Sequence, residues 1–146
     1  MDRIILIGGS PTAGKSYTAK KLAEWLKLSW ISTDAIRSQM RKLVREEDYP
    51  ALFELAGATP DMSVEFLTSR TAEEVVKQQT GESEDVWKGV NALIETDDID
   101  SFIIEGIAIL PHLVSDLIKT NKKIKAVFLV DEDEERVRKT IFTRGL

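Results

Sequence analysis

Apolar residues fall in two alternating arrangements along the chain. Near the start, Ile4, Ile5, Leu6 and Ile7 form a continuous apolar run that ends at Gly8 and Gly9. Such a run reads as a strand buried on both faces, the kind found in a parallel sheet. From Lys15 to Leu28 the apolar positions (Ala19, Leu22, Ala23, Leu26) shift to helical spacing. Trp30 to Thr33 reads as a second strand, and Asp34 to about Arg45 as a second helix with Ile36, Met40, Leu43 and Val44 apolar. Asp34 or Thr33 is the expected N-cap. Tyr49 to Pro60, with two prolines and one glycine, is the least regular stretch. Helical patterns resume over 62–79 and 83–95, divided at Gly81, and Val86, Val90, Leu93 and Ile94 make the second stripe. Phe102 to Ile104 is a third strand ending at Glu105-Gly106. Ile109 to Ile118 is a helix with Pro111 in its first turn, and Ile124 to Val130 is a fourth strand. From Asp131 the acids precede the bases, the charge order that suits a helix.

Strands that alternate with helices specify an α/β fold with a parallel sheet flanked by helices. No repeat, low-complexity segment or linker interrupts 1–146, so the expectation is a single domain. Arg144-Gly145-Leu146 follow directly on a predicted helix with no closing strand. The chain is therefore expected to be a truncated or short member of a longer design, lacking a C-terminal strand.

Composition narrows the chemistry. There is no cysteine and only one histidine, His112, which excludes thiol nucleophiles, iron–sulfur clusters and His-rich metal sites. The formal charge is −5, with 20 basic and 25 acidic residues, a poor footprint for a nucleic-acid partner. No apolar run approaches the length of a membrane span, and no signal peptide opens the chain. No membrane partner and a cytoplasmic location are expected. The basic residues nonetheless cluster at Arg37, Arg41, Lys42 and Arg45.

Gly9-Ser10-Pro11-Thr12-Ala13-Gly14-Lys15-Ser16 matches G-x-x-x-x-G-K-[ST] between a buried strand and an amphipathic helix, the context this motif requires. The glycines let backbone N–H groups converge on one phosphate, and the helix points its positive end there. Lys15 is expected on the β and γ phosphates of ATP. Ser16 offers its hydroxyl to Mg2+, and Tyr17 closes the cofactor-binding segment.

Two acids end strands on the same side. In an open parallel sheet the ligand lies at the strands' carboxyl ends, so Asp34 and Glu105 should both face the phosphate loop. Phosphoryl transfer needs one carboxylate for magnesium or its waters and one to orient an acceptor hydroxyl. Glu105 takes the metal role and Asp34 the acceptor role, a role compatible with capping. Arg37, Arg41 and Arg45 are spaced to share a helix face. Arg37 and Arg41, just after Asp34, suit an anionic acceptor, whereas Arg45 suits solvated ion pairs with Glu46, Glu47 or Asp48. Arg138 and Arg144 lie where a mobile arginine could clamp the transferred phosphate, although Arg138 also suits a helix end. His112 reads as a surface or partly packed side chain. Trp25, Trp30 and Trp87 read as core or subdomain contacts, and Met40 and Met62 as gap fillers.

Together the phosphate loop, the Thr33-Asp34-Ala35-Ile36-Arg37…Met40-Arg41 string and Ile104-Glu105-Gly106…Pro111 resemble the P-loop small-molecule kinases, and within them the 2-phosphoglycerate kinase family. Val86-Trp87-Lys88-Gly89-Val90 is similar to that family's mid-chain helix. The resemblance implies a nucleoside-monophosphate-kinase-like fold with sheet order 2-3-1-4-5, Mg-ATP as donor and a small, anionic, hydroxyl-bearing acceptor. It places Lys15, Asp34, Arg37, Arg41 and Arg144 in the catalytic set, and Ser16 and Glu105 on the metal. Two other readings stay open: a nucleotide-hydrolysing switch, which the absence of Asn-Lys-x-Asp disfavours, and a nucleotide-binding regulatory or structural protein.

Overall fold

The computed structural model describes residues 2–96 and 98–144. The side chains of Ile141, Phe142 and Arg144 lie outside that description, as do Gly145 and Leu146. The elements run β1 (Ile4–Gly9), α1 (Lys15–Leu26), β2 (Ser29–Ser32), α2 (Thr33–Leu43), α3 (Pro50–Phe53), α4 (Pro60–Ser69), α5 (Ala72–Ile94), β3 (Phe102–Glu105), α6 (Pro111–Thr120), β4 (Ile124–Leu129) and α7 (Glu134–Arg144). Among the described residues the sheet has the order β2-β3-β1-β4, with every pairing parallel. This is the expected order over its first four strands, with β1 central and β3 beside it.

Alternation along β1 and β3 divides the core between the two sheet faces. Ile4, Leu6, Phe102 and Ile104 point to one face, where they meet Ile36 of α2, Leu52 of α3, Val86, Trp87 and Val90 of α5, and Val114 of α6. Ile7 and Ile103 point to the other face and pack on Ala19 and Ala23 of α1. Both strands are thus apolar at successive positions, which is why their sequences run without polar interruption.

Several local expectations change. The α2 N-cap is Ser32, whose hydroxyl accepts from the Asp34 N–H at 3.1 Å; Thr33 and Asp34 are already helical. Gly81 does not divide two helices, because α5 runs unbroken from Ala72 to Ile94. A glycine there costs helix propensity, yet α3 packs against it, and a Cβ on Gly81 would stand at ordinary contact distance, 3.4 Å, from Ala51 Cβ. The break comes earlier, at Thr71, which forms a reciprocal capping box with Glu74. Trp87 is a core residue, but Trp25 and Trp30 are exposed, as is Met62, so none of these three fills the core. Trp25 lies off the apolar stripe of α1, whose Ala19 and Ala23 pack against the sheet. Arg45 lies past the end of α2, so the row of three arginines is broken after Arg41; Arg45 pairs with Glu47 at 2.7 Å and Asp48 at 3.0 Å. His112 is exposed beside Glu84. No helix of the described residues is long and apolar enough to cross a membrane.

Candidate functional site

Strand register brings the chemistry to one edge of the sheet. Glu105 ends β3 between Ile7 of β1 and Ser32 of β2. β1 continues past Ile7 to Gly9, where the phosphate loop begins, and Asp34 lies just after Ser32, so the two motifs emerge on either side of Glu105.

The loop turns back on itself through the Ala13 N–H, which donates to the Ser10 carbonyl at 3.1 Å. Gly14 then adopts φ 84°, a left-handed conformation that a side chain strains, and no atom lies within 4 Å of where its Cβ would be. Gly14 caps α1 with no side-chain hydrogen bond, and no acid lies in the first turn. The positive end of α1 is therefore left to an anion, and the cradle fits a phosphate group. Lys15 is buried, and its ammonium donates to the Ser10 carbonyl at 2.5 Å, bridging the loop from within. Ser10 and Pro11 are exposed on the loop's outer side, Thr12 keeps a buried hydroxyl without a hydrogen-bond partner, and Tyr17 stands exposed on α1.

Ser16 and Glu105, 89 positions apart, are in direct contact: the Ser16 hydroxyl donates to Glu105 Oε1 at 3.1 Å. Glu105 is 2% exposed. One hydroxyl and one carboxylate, both hard oxygen donors beside a phosphate cradle, fit magnesium, which takes few protein ligands and completes its shell with phosphate oxygens and water. The close fit behind Glu105 depends on Gly106, at φ 154°. A Cβ there would come within 1.8 Å of Thr33 Oγ1.

The acidic and basic side chains of α2 form a second cluster. Asp34 Oδ1 lies 3.3 Å from Arg37 Nη2. Arg37 Nη1 and Arg41 Nη2 both reach one oxygen of Glu82, on α5, at 3.3 and 3.1 Å. Arg41 Nε also donates to the Leu52 carbonyl at 2.7 Å. Burial lowers the Arg41 pKa from its usual value; Glu82 opposes this shift and Arg37 adds to it. Arg41 remains a cation at any physiological pH. A small cavity beside the cluster is lined by Thr33, Asp34, Arg37, Glu82, Ser83 and Ile107. A larger cleft of about 630 Å³ is lined by Gly9, Ser10 and Pro11 of the phosphate loop together with Ser83 and Ile107. Because Ser83 and Ile107 line both spaces, the arginine cluster and the phosphate loop open onto adjoining room. The predicted site residues thus form two groups: Lys15, Ser16 and Glu105 with the loop, and Asp34, Arg37 and Arg41 on α2. Arg144 lies outside the described side chains.

No family model matches the chain. It is 37% identical over 144 residues to a 2-phosphoglycerate kinase of Methanothermobacter thermautotrophicus, an alignment covering 95% of this chain and 46% of that protein. A second 2-phosphoglycerate kinase, from Methanocaldococcus jannaschii, is 30% identical over 145 residues, covering 97% of this chain and 46% of that protein. The chain is homologous to the 2-phosphoglycerate kinases. It spans about half the length of these curated relatives. In three dimensions it is similar to shikimate kinase from Acinetobacter baumannii, with a TM-score of 0.53 at 19% identity over 99% of this chain and 64% of that one. A gluconokinase from Sinorhizobium meliloti gives a TM-score of 0.50 at 13% identity, over 99% of this chain and 67% of that one. These likenesses show that the chain shares the fold of these solved kinases, a parallel sheet flanked by helices.

Sequence reasoning missed Glu82 and the Leu52 carbonyl, and it offered Thr33 as a helix cap and not as the residue that closes on Gly106. Glu82 carries no motif, and its partners lie 41 and 45 positions away. The usable signal is steric. Gly89 lies two helical turns beyond Glu82, and a Cβ there would meet Ile36 and Met40 at 2.7 Å. A glycine in an apolar helical stripe marks where α5 crosses α2 closely enough to bring Glu82 to the arginines.

Proposed function

We propose that the chain is the catalytic portion of an ATP-dependent kinase that phosphorylates 2-phosphoglycerate. The reading is carried by the adjoining arrangement of a phosphate loop with its Ser16–Glu105 pair and a carboxylate-plus-two-guanidinium cluster on α2. The homology to 2-phosphoglycerate kinases supports that acceptor.

The cradle of 9–16 holds the triphosphate, with Lys15 at the β and γ phosphates. Ser16 and Glu105 would hold Mg2+, which when bound would neutralise charge on the phosphate oxygens. Arg37 and Arg41 grip the acceptor's anionic groups, which a guanidinium fork suits. Asp34 accepts the proton of the acceptor's one free hydroxyl, on carbon 3. That oxygen forms a bond to the γ-phosphorus as the bond from the γ-phosphorus to the bridging β,γ oxygen breaks. ADP leaves, and the product is 2,3-bisphosphoglycerate. Positioning and electrostatics supply the rate, since the transfer asks little covalent chemistry of the protein.

Coupled ADP-release measurements with Mg-ATP across 2-phosphoglycerate, shikimate, gluconate and nucleosides test this reading. Saturable ADP release with 2-phosphoglycerate, and a bisphosphorylated product by phosphorus NMR, is the expected result. ADP release indifferent to every acceptor would instead leave a nucleotide hydrolase or regulatory protein.

A further inference from the structure

Glu82 is the most enclosed charged group of the α2 cluster. Its side chain is 13% exposed, against 23% for Arg41, 28% for Arg37 and 67% for Asp34. The Glu82 carboxylate is therefore the enclosed partner of the guanidiniums and Asp34 the exposed one. One oxygen, Oε1, accepts from both arginines, at 3.3 and 3.1 Å. Without it the two cations, one turn apart on α2, would repel each other and separate. The Leu52 carbonyl fixes Arg41 Nε from a third side. Arg37 and Arg41 are balanced by Glu82 and by Asp34, 3.3 Å from Arg37 Nη2, so the cluster is neutral overall and an anion meets the guanidinium N–H groups that neither carboxylate takes.

We propose that Glu82 is a positioning residue for acceptor binding: it gathers Arg37 and Arg41 into one rigid fork and touches neither substrate itself. This rests on the acceptor reading of Arg37 and Arg41 above. Glu82 touches Arg37 and Arg41 and does not line the cleft at the phosphate loop, so its effect falls on the acceptor and not on ATP. A side chain that only stabilised the fold would alter both substrates and turnover together.

The test compares the parent with Glu82→Ala and Glu82→Gln in two measurements. The first is the guanidinium Nη–H spectrum by nitrogen-15 NMR at low temperature, read without any substrate, because Glu82 accepts from Arg37 Nη1 and Arg41 Nη2. In the parent, Arg37 and Arg41 should give dispersed, slowly exchanging signals. Glu82→Ala should move them toward free arginine, and Glu82→Gln, which keeps an acceptor oxygen, should restore part of the dispersion. Unchanged Arg37 and Arg41 signals in Glu82→Ala overturn the proposal, whatever the substrate. The second is steady-state kinetics with Mg-ATP and 2-phosphoglycerate. Glu82→Ala should raise the acceptor KM by about tenfold or more, the scale of a lost charge-assisted hydrogen bond. Its kcat and ATP KM should stay near the parent values, and Glu82→Gln should fall between. An acceptor KM that drops in either variant overturns the proposal, because Glu82 would then compete with the acceptor for the arginines. An equal loss in kcat and in both KM values also overturns it, as a general structural effect. A parent inactive on 2-phosphoglycerate, yet showing the NMR response to Glu82→Ala, refutes the acceptor and not the arrangement of the fork.

Discussion

The two halves of the candidate site are built differently. The phosphate-loop half uses backbone curvature and neighbours in sequence: a buried strand, a loop held by the Ala13–Ser10 turn and the uncapped start of α1. Its side chains reach a distant partner in Glu105, presented by the strand next door. The α2 half is made of long side chains held by other helices: Glu82 from α5 and the Leu52 carbonyl from α3. Backbone N–H groups read any phosphate in the same way, whereas side chains on separate helices can be exchanged one at a time. On the proposed function, the loop would take the donor and the helices would choose the acceptor.

Lys15→Ala should give the largest effect, because it removes the loop's only full positive charge where charge shifts during transfer. Turnover is expected to fall by about a hundredfold or more, with weaker binding of a nonhydrolysable ATP analogue by calorimetry. Unchanged turnover and affinity would remove the loop from donor binding and break the contrast. Glu105→Gln comes next, with a loss of about tenfold or more in magnesium-dependent turnover, since a neutral amide is a poor magnesium ligand. The check is turnover against magnesium concentration beside the thermal midpoint; identical magnesium curves would make Glu105 a packing residue.

Substitutions on α2 should act differently. Arg37→Ala is expected to raise the acceptor KM by about tenfold while ATP affinity holds, because it removes binding shared by ground and transition states. Asp34→Asn should instead lower kcat. Arg37→Ala kinetics that moved the ATP constant equally would merge the two halves into one unit.

The smallest effect should come from outside both halves. Asp131, at the rim of the larger cleft, is held below the usual carboxylate range by hydrogen bonds from the Arg136 side chain and the Asp133 backbone N–H. A depressed carboxyl pKa adds stability that is present above its unfolded value and is lost as pH falls through the folded value. Asp131→Asn should therefore flatten the acid limb of the stability profile slightly and leave turnover at neutral pH near the parent value. Thermal midpoints measured from pH 7 down to pH 3 check this.

How legible each half is follows from its construction. The loop, α1 and the strand ends around Glu105 were readable because a continuous apolar run, a glycine-rich turn and a helical stripe each encode local geometry, and parallel pairing then sets neighbouring strand ends side by side. Arg37 and Arg41 were readable as a row for the same local reason, but the row's true end after Arg41 was not: α2 stops where the backbone turns extended at Val44. Gly81 misled in the opposite direction. Its weak helix propensity predicts a break, whereas the packing of α3 against α5 outweighs about 1 kcal/mol of propensity and keeps one long helix.

The amino-acid sequence by itself determined the α/β class, the strands β1, β3 and β4, the phosphate loop and the carboxylates at the strand ends, because each is written in the spacing of a few adjacent residues. Only the tertiary structure decided that Glu82 meets Arg37 and Arg41, that Thr33 closes on Gly106, and that Trp25 and Trp30 face outward while Trp87 enters the core. Those outcomes depend on which helix crosses which and how closely, and close approach is fixed by the sum of many weak contacts that no single stretch of sequence contains.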